Sequence, residues 1–189
     1  MKLSFFEVDK SYIRFLKRYE NKIPNISYDA HDKFMLGVLF EISGMKYYAP
    51  ISSFKKQQRT NFLIKDAGEG NKVLGSIRLS FMFPVPDGVV WKKDFSKESA
   101  SYRFLLMKEN SFCNAHADEI IDKAQYIYKT VQENSDKIIV QNSCNFPLLE
   151  KKMQEYIKEK KKDKVQENLD ALFGVQTVRM PEEDDEFCP

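Results

Sequence analysis

The residues with the clearest chemical potential are Ser52-Ser53-Phe54-Lys55-Lys56, two hydroxyls followed by a dibasic step. The run contains S-x-x-K twice, through Ser52 and Lys55 and through Ser53 and Lys56. In acyl-serine enzymes that spacing opens a helix and sets serine and lysine on one face. Here the preceding residues read as a strand, and the S-D-N and K-T-G companions of those enzymes are missing, so that chemistry is set aside. Two readings stay open on spacing alone. One is a polar turn. The other is a strand end that holds hydroxyls beside fixed positive charge.

Other chemistries find less support. Gly68, Gly70 and Gly75 fit neither GxGxxG nor GxxxxGK[ST], and a hairpin turn explains them better. His31 and His116 are the only histidines, too few for a histidine-based metal site. His116 reads as a capping or surface residue. Cys113, Cys144 and Cys188 show no CxxC spacing and are odd in number, against both a disulfide framework and a zinc site. The carboxylates are scattered or confined to the C-terminus, so no magnesium cluster is evident. No cofactor or metal is expected.

The elements that must position these residues change character along the chain. Phe34, Leu36, Val38, Phe40 and Ile42 alternate with their neighbours as in a strand with one buried face. Ser43-Gly44 breaks the run and Met45 to Ile51 resumes it, which predicts a tight hairpin. Asn61–Lys65 and Val73–Ser80 predict a second pair, Met1–Val8 a further strand, and Phe81–Pro86, with its two prolines, an edge or irregular segment. Tyr12, Phe15, Leu16 and Tyr19 make the apolar stripe of a short helix with Ser11 as its cap. The second half reads as helices: one beginning at Tyr102–Met107, one carrying Ile120, Ala124, Ile127 and Val131, and one carrying Phe146, Leu149, Met153 and Tyr156. Strands first and helices after predict an α+β fold with a largely antiparallel sheet. One domain is expected over residues 1–163. Residues 164–189 would form a C-terminal extension, a weakly docked helix and a disordered acidic tail.

Composition agrees with a folded chain: 42% of the 189 residues are hydrophobic and 15 Phe with 9 Tyr supply core volume. No apolar stretch approaches the roughly 20 residues that span a bilayer, and no secretory leader is apparent, so a cytoplasmic location is expected. The net charge of +2 conceals an asymmetry. Five of the 28 acidic residues lie in Glu182–Glu186, leaving 30 basic against 23 acidic residues, or +7, on residues 1–180. That bias favours polyanionic partners, although lysine-rich sequence is also ordinary solvated surface.

The stretch from Lys33 to Lys56 resembles the central hairpin of the ToxN/AbiQ endoribonucleases, the protein toxins of type III toxin–antitoxin systems. In that family a lysine opens a strand, a glycine turn follows, and K-Y-x-A-P-[LI]-[TS]-S-x-K leads into the active site. Lys46-Tyr47-Tyr48-Ala49-Pro50-Ile51-Ser52-Ser53-Phe54-Lys55 matches it. Looser similarity extends through Ser11–Leu16, Leu74–Val85 and Ala124–Val131, covering about residues 1–157. The fold so implied is a strongly twisted, partly barrel-like antiparallel sheet with helices packed around it.

By that resemblance Lys33, Ser52, Ser53 and Lys55 are the catalytic candidates. The family's tyrosine four residues before the first lysine meets Asp29 here, with Tyr28 one residue earlier. A one-residue insertion restoring Tyr28, or substitution by His31, are the alternatives. The implied activity is metal-independent RNA cleavage by the substrate's own 2′-hydroxyl, giving 2′,3′-cyclic phosphate and 5′-hydroxyl ends. The implied partners are the mRNA substrate and a short-repeat RNA antitoxin in a closed protein–RNA assembly. RNA contacts are expected from Lys56, Arg59, Lys92 and Lys93, and from Lys160, Lys161, Lys162 and Lys164 on a second surface. A non-catalytic RNA-binding regulatory module using the same basic groove is the alternative, and it would show no cleavage.

Overall fold

The strand that ends in the two serines, β4 (Met45–Ser52), takes part in four of the seven strand pairings among the described residues of the computed structural model, which are residues 2–25 and 33–173. Its partners follow one another along its length. β3 (Glu41–Ile42) pairs at Met45 and Lys46, β7 (Phe83–Pro84) at Tyr47 and Tyr48, β2 (Met35–Gly37) at Ala49 and Pro50, and β6 (Lys72–Arg78) at Ile51 and Ser52. β1 (Ser4–Val8) and then β8 (Val90–Lys92) extend the sheet beyond β2, and β5 (Asn61–Asp66) extends it beyond β6. Every pairing is antiparallel. The eight-stranded sheet is open, because no pairing among the described residues joins β5 to β8, the ends of its six-strand path.

The Ser43-Gly44 hairpin forms as expected, with φ of 52° and 76° at the two turn residues. Positive φ at both is the turn whose twist matches antiparallel strands. The single strand predicted over Phe34–Ile42 is instead two, β2 and β3, interrupted at Val38–Phe40. Pairing with β4 survives the interruption through Leu39 N–H to Tyr47 O (2.9 Å) and Tyr47 N–H to Phe40 O (3.0 Å). The interruption starts at a close approach: a Cβ on Gly37 would lie 2.2 Å from Tyr48 Cδ1. Alternation alone does not reveal such a contact.

Helix α1 (Lys10–Lys17) buries Tyr12, Phe15 and Leu16 as its stripe predicts, and Ile13 besides. Its cap is Asp9 rather than Ser11. The Asp9 carboxylate accepts from Ser11 N–H (2.7 Å) and Tyr12 N–H (3.3 Å), and also bonds the Ser11 hydroxyl. These bonds, the hydroxyl's first, hold its pKa below the usual carboxylate range. An ionised acceptor outcompetes a hydroxyl at a helix N-terminus, where the dipole favours negative charge. Tyr19 lies past the helix end and is 43% exposed.

Helices α2 (Ala100–Ala115), α3 (Ala117–Gln132) and α5 (Phe146–Phe173) occupy the three predicted regions, and the five-residue α4 (Lys137–Gln141) is additional. The chain divides into two compact units, Met1–Gln154 and Glu155–Pro189, with the division inside α5. Among the described residues no helix is long and apolar enough to cross a membrane.

In the first unit an aromatic cluster ties the helices to β4. Tyr47 stacks on Phe40 at 4.8 Å and meets Tyr128 and Phe146 edge-on at 5.4 and 6.0 Å. The phenols of Tyr47 and Tyr128 both donate to Glu150 Oε1 at 2.7 Å. Burial first, then the Glu150 bond, pushes the Tyr128 phenol up to about 12, and Tyr47 higher still. Each bond to this charged acceptor is worth about 1.5–3 kcal/mol.

The Gly37 contact is testable. Gly37→Ala drives a methyl into the Tyr48 ring and should lower stability by about 1–3 kcal/mol in urea unfolding. Gly88→Ala, with nothing within 4 Å of the added carbon, should leave the urea midpoint nearly unchanged.

Candidate active site

At its C-terminal end β4 runs between β2 and β6. Ser52 is paired with Ser76 of β6 on one side. On the other, Ile51 N–H donates to Phe34 O at 3.2 Å, and the register that sets Met35 opposite Pro50 sets Lys33 opposite Ser52. Lys33 lies just outside β2, so its place opposite Ser52 follows from continuing that register. Ser53 and Lys55 follow directly on the loop, and both are exposed.

That loop is held by polar groups that sequence reasoning missed. Ser52 Oγ accepts from Phe54 N–H at 3.2 Å, a local turn. Ser76, fully buried, donates its hydroxyl to Phe54 O at 2.7 Å. Asn61, also fully buried, donates from Nδ2 to Lys56 O at 2.9 Å, and its Oδ1 accepts from Gln58 N–H at 2.9 Å and Gln57 Nε2 at 3.1 Å. Both residues lie at strand positions where an apolar side chain would serve the core. A polar residue there was the available signal, and it has meaning only once the loop it reaches is known.

Glu109 of α2 lies against the same strand end. A Cβ on Gly75 would be 3.5 Å from Glu109 Oε1 and 2.6 Å from the Ser52 carbonyl oxygen. Its carboxyl is buried, and burial alone raises its pKa to about 7. The ionised form is thus disfavoured beneath Ser52.

The remaining expected residues fall in several places. Lys33 borders a cavity of about 430 Å³ with Lys10, Arg14 and the exposed Trp91, whose Nε1 donates to Glu7 Oε2 at 2.8 Å. Lys56 and Lys92 are exposed. Arg59 is exposed but ion-paired with Asp136 at 2.7 Å. Lys93 differs from the expectation of a phosphate contact. Its side chain is 4% exposed and bridges Glu7 (2.8 Å) and Glu98 (2.6 Å), so its charge is already compensated inside the fold. Lys160, Lys161, Lys162 and Lys164 are exposed on the part of α5 in the second unit, where Lys160 makes a long contact of 3.9 Å with Asp163. Tyr28, His31 and the acidic tail lie outside the described residues. His116 meets Glu119 at 2.7 Å and packs on Phe112 at 4.4 Å, the surface role expected of it.

The fold is that of an α+β protein with an open antiparallel sheet whose central strand ends at Ser52 and leads into the exposed Ser53–Lys55 loop. The sequence profile of the toxin ToxN of type III toxin–antitoxin systems matches residues 4–154. The chain belongs to the ToxN family. It is 30% identical over 167 residues to the endoribonuclease ToxN of Pectobacterium atrosepticum, covering 83% of this chain and 95% of that one. A solved toxin described as selectively inhibited by a non-coding RNA pseudoknot superposes with a TM-score of 0.75 at 26% identity, over 82% of this chain and 98% of that one. AbiQ, described as a lactococcal anti-phage endoribonuclease, gives 0.75 at 25% identity over 84% and 99%.

Glu109 makes stability pH-dependent with a defined sign. Below about 4.5 it is protonated in both the folded and unfolded chain. As pH rises toward 7 the unfolded chain loses the proton first, so its contribution destabilises the fold progressively and then levels off. Glu109→Gln removes this dependence. The fall in unfolding free energy between pH 5 and pH 8 should be smaller in the variant by up to about 3 kcal/mol, read from urea titrations.

Proposed function

We propose that this chain, an endoribonuclease toxin by family, cleaves single-stranded RNA without a metal ion at the β4 end and is restrained there by an RNA antitoxin. The observation that supports the reading is the β2–β4 register, which when continued past Met35 sets Lys33 opposite Ser52, with Ser53 and Lys55 following on the exposed loop. Phosphodiester transfer needs a group to take a proton, a group to give one, and positive charge at the developing phosphorane. The substrate 2′-oxygen attacks the adjacent phosphorus and loses its proton to an acceptor in the site. The bond from phosphorus to the 5′-oxygen breaks, and that oxygen gains a proton. The products are a 2′,3′-cyclic phosphate and a 5′-hydroxyl. Lys33 and Lys55 stabilise the phosphorane, and one of them serves in proton transfer. Ser53 orients or protonates a phosphate oxygen, with Ser52 in support. Tyr28 and His31 remain candidates for a positioning role.

The antitoxin, a short-repeat RNA in this reading, occupies the same groove and inhibits by occlusion in a closed protein–RNA assembly. Lys56 and Lys92 join Lys33 and Lys55 as phosphate contacts, Arg59 does so only where phosphate displaces its Asp136 partner, and Trp91 offers an exposed face for an unpaired base. Lys93 has no place in this set, since its partners are Glu7 and Glu98. The exposed lysines 160, 161, 162 and 164 form the second RNA surface.

Ser53→Ala should reduce cleavage by about 10²–10⁴-fold while antitoxin affinity changes little. Cleavage should persist in excess EDTA, and the new 5′ ends should accept phosphate from a polynucleotide kinase without prior dephosphorylation. Loss of cleavage in EDTA, or 5′-phosphate ends, would overturn the mechanism. Replacing Lys160, Lys161, Lys162 and Lys164 by Ala should weaken antitoxin binding, and flatten its salt dependence, more than it slows cleavage of a short RNA.

A further inference from the structure

Arg78, the last residue of β6, is held in an unusual electrostatic position. Its guanidinium carbon lies 4.7 Å from the centre of the Phe54 ring and 4.8 Å from that of Phe81. No carboxylate compensates it among the described residues. Nη2 reaches only Gln58 Oε1, at 3.4 Å, and Nε is buried without a partner. Burial pulls its pKa below the ordinary arginine value. A half-buried cation packed on two rings and without a counter-ion keeps hydrogen-bond donors unused. Such a group is complementary to an anion that arrives with its substrate.

The surroundings fit that role. Arg78 borders a cavity of about 400 Å³ with Gln57, Gln58, Arg59 and Phe81. The other cation, Arg59, is taken by Asp136, whose carboxylate also caps α4 through Ile138 and Ile139 N–H. Arg78 therefore supplies the uncompensated charge at this cavity. It is also coupled to the candidate site, because Phe54 stands between Ser53 and Lys55 and its carbonyl is fixed by Ser76, two residues before Arg78.

We infer that Arg78 binds a phosphodiester of single-stranded RNA flanking the scissile one, with Gln58 as a hydrogen-bonding partner for the adjoining nucleotide. This rests on the endoribonuclease reading above and adds a substrate subsite to it. A guanidinium presents paired donors to two phosphate oxygens, which the ammonium of lysine does not. Arg78 thus acts in substrate binding and register rather than in proton transfer.

The test begins with a cleavage site mapped for the wild-type enzyme. A short RNA spanning that site is made with a 2′-deoxy nucleotide at the cleaved position, and its affinity is measured at several salt concentrations. Arg78→Met should weaken binding by about tenfold or more. It should also reduce the slope of log affinity against log salt by about 0.7, the share of one phosphate on a single strand. Arg78→Lys should retain the slope and lose part of the affinity. Replacing single phosphates by methylphosphonates should reveal one flanking linkage whose neutralisation weakens wild-type binding and leaves Arg78→Met unaffected. An unchanged slope with Arg78→Met folded overturns the inference, as does a wild-type scan in which no flanking linkage matters. The scan also decides the question if Arg78→Met does not fold. If the wild-type enzyme cleaves no RNA, it is the endoribonuclease reading that fails.

Discussion

Four neighbouring strands take up the length of β4 in turn, and the rest of the structure hangs on that arrangement. A one-residue slip of an antiparallel strand moves every side chain to the opposite face. Met45, Tyr47, Tyr48, Ala49, Pro50 and Ile51 are all buried, so both faces of β4 are committed and a slip has no acceptable alternative. The tight Ser43-Gly44 turn fixes one end of the register, and the Ile51–Ile77 and Ser52–Ser76 pairs fix the other. The position of Ser52 follows from this pairing, and Lys33 is carried to it by β2. The Tyr47 phenol, anchored on Glu150, ties the same strand to the helical layer.

Around the end of β4 the core departs from apolar packing. Ser76, Asn61, Glu109 and Arg78 lie within one short stretch of sheet and the helix beside it. Ser76 and Asn61 are fully satisfied and convert buried hydrogen bonds into a fixed loop. Glu109 and Arg78 are not compensated in the same way: burial disfavours the ionised carboxyl, and the guanidinium lacks a counter-ion. Buried polar groups elsewhere in the sheet are few, so polar side chains are concentrated at this strand end.

The order of strands and helices was legible because hydrophobic period is a local property. Tyr12, Phe15 and Leu16 on α1 and the Met45–Ile51 run behave as their spacing requires. Features that depend on distant neighbours were not. Nothing near Gly37 in the sequence announces the Tyr48 ring, and where one strand is expected the chain forms two. Asp9 displaced Ser11 as the cap because the competition is electrostatic, and α4 is too short for periodicity to register. The same division runs through the site. The Ser52–Lys55 motif was visible as residues in a row, whereas Ser76 and Asn61 reach that loop, and Glu109 reaches the strand beside it, only through tertiary packing.

Charge offers the sharpest contrast between counting and structure. Lys92 and Lys93 are adjacent, and sequence cannot separate them. In the edge strand β8 and the residue after it they take opposite environments, because side chains alternate between faces. Lys92 stays in solvent, while Lys93 is enclosed between Glu7 and Glu98, beside the Phe34 ring at 5.8 Å. The same holds for Arg59 and Arg78: the exposed residue has a carboxylate partner and the half-buried one has none. A polyanion meets the field of the uncompensated groups, not the formal sum of charges. On that basis a net charge of only +2 is compatible with a strong local preference for phosphate near the end of β4. Exposed Lys55 and Lys56 on the loop, and Arg78 against the Phe54 ring, are cations there with no carboxylate partner among the described residues, whereas Lys93, Lys108 and Arg59 are paired with carboxylates of the fold.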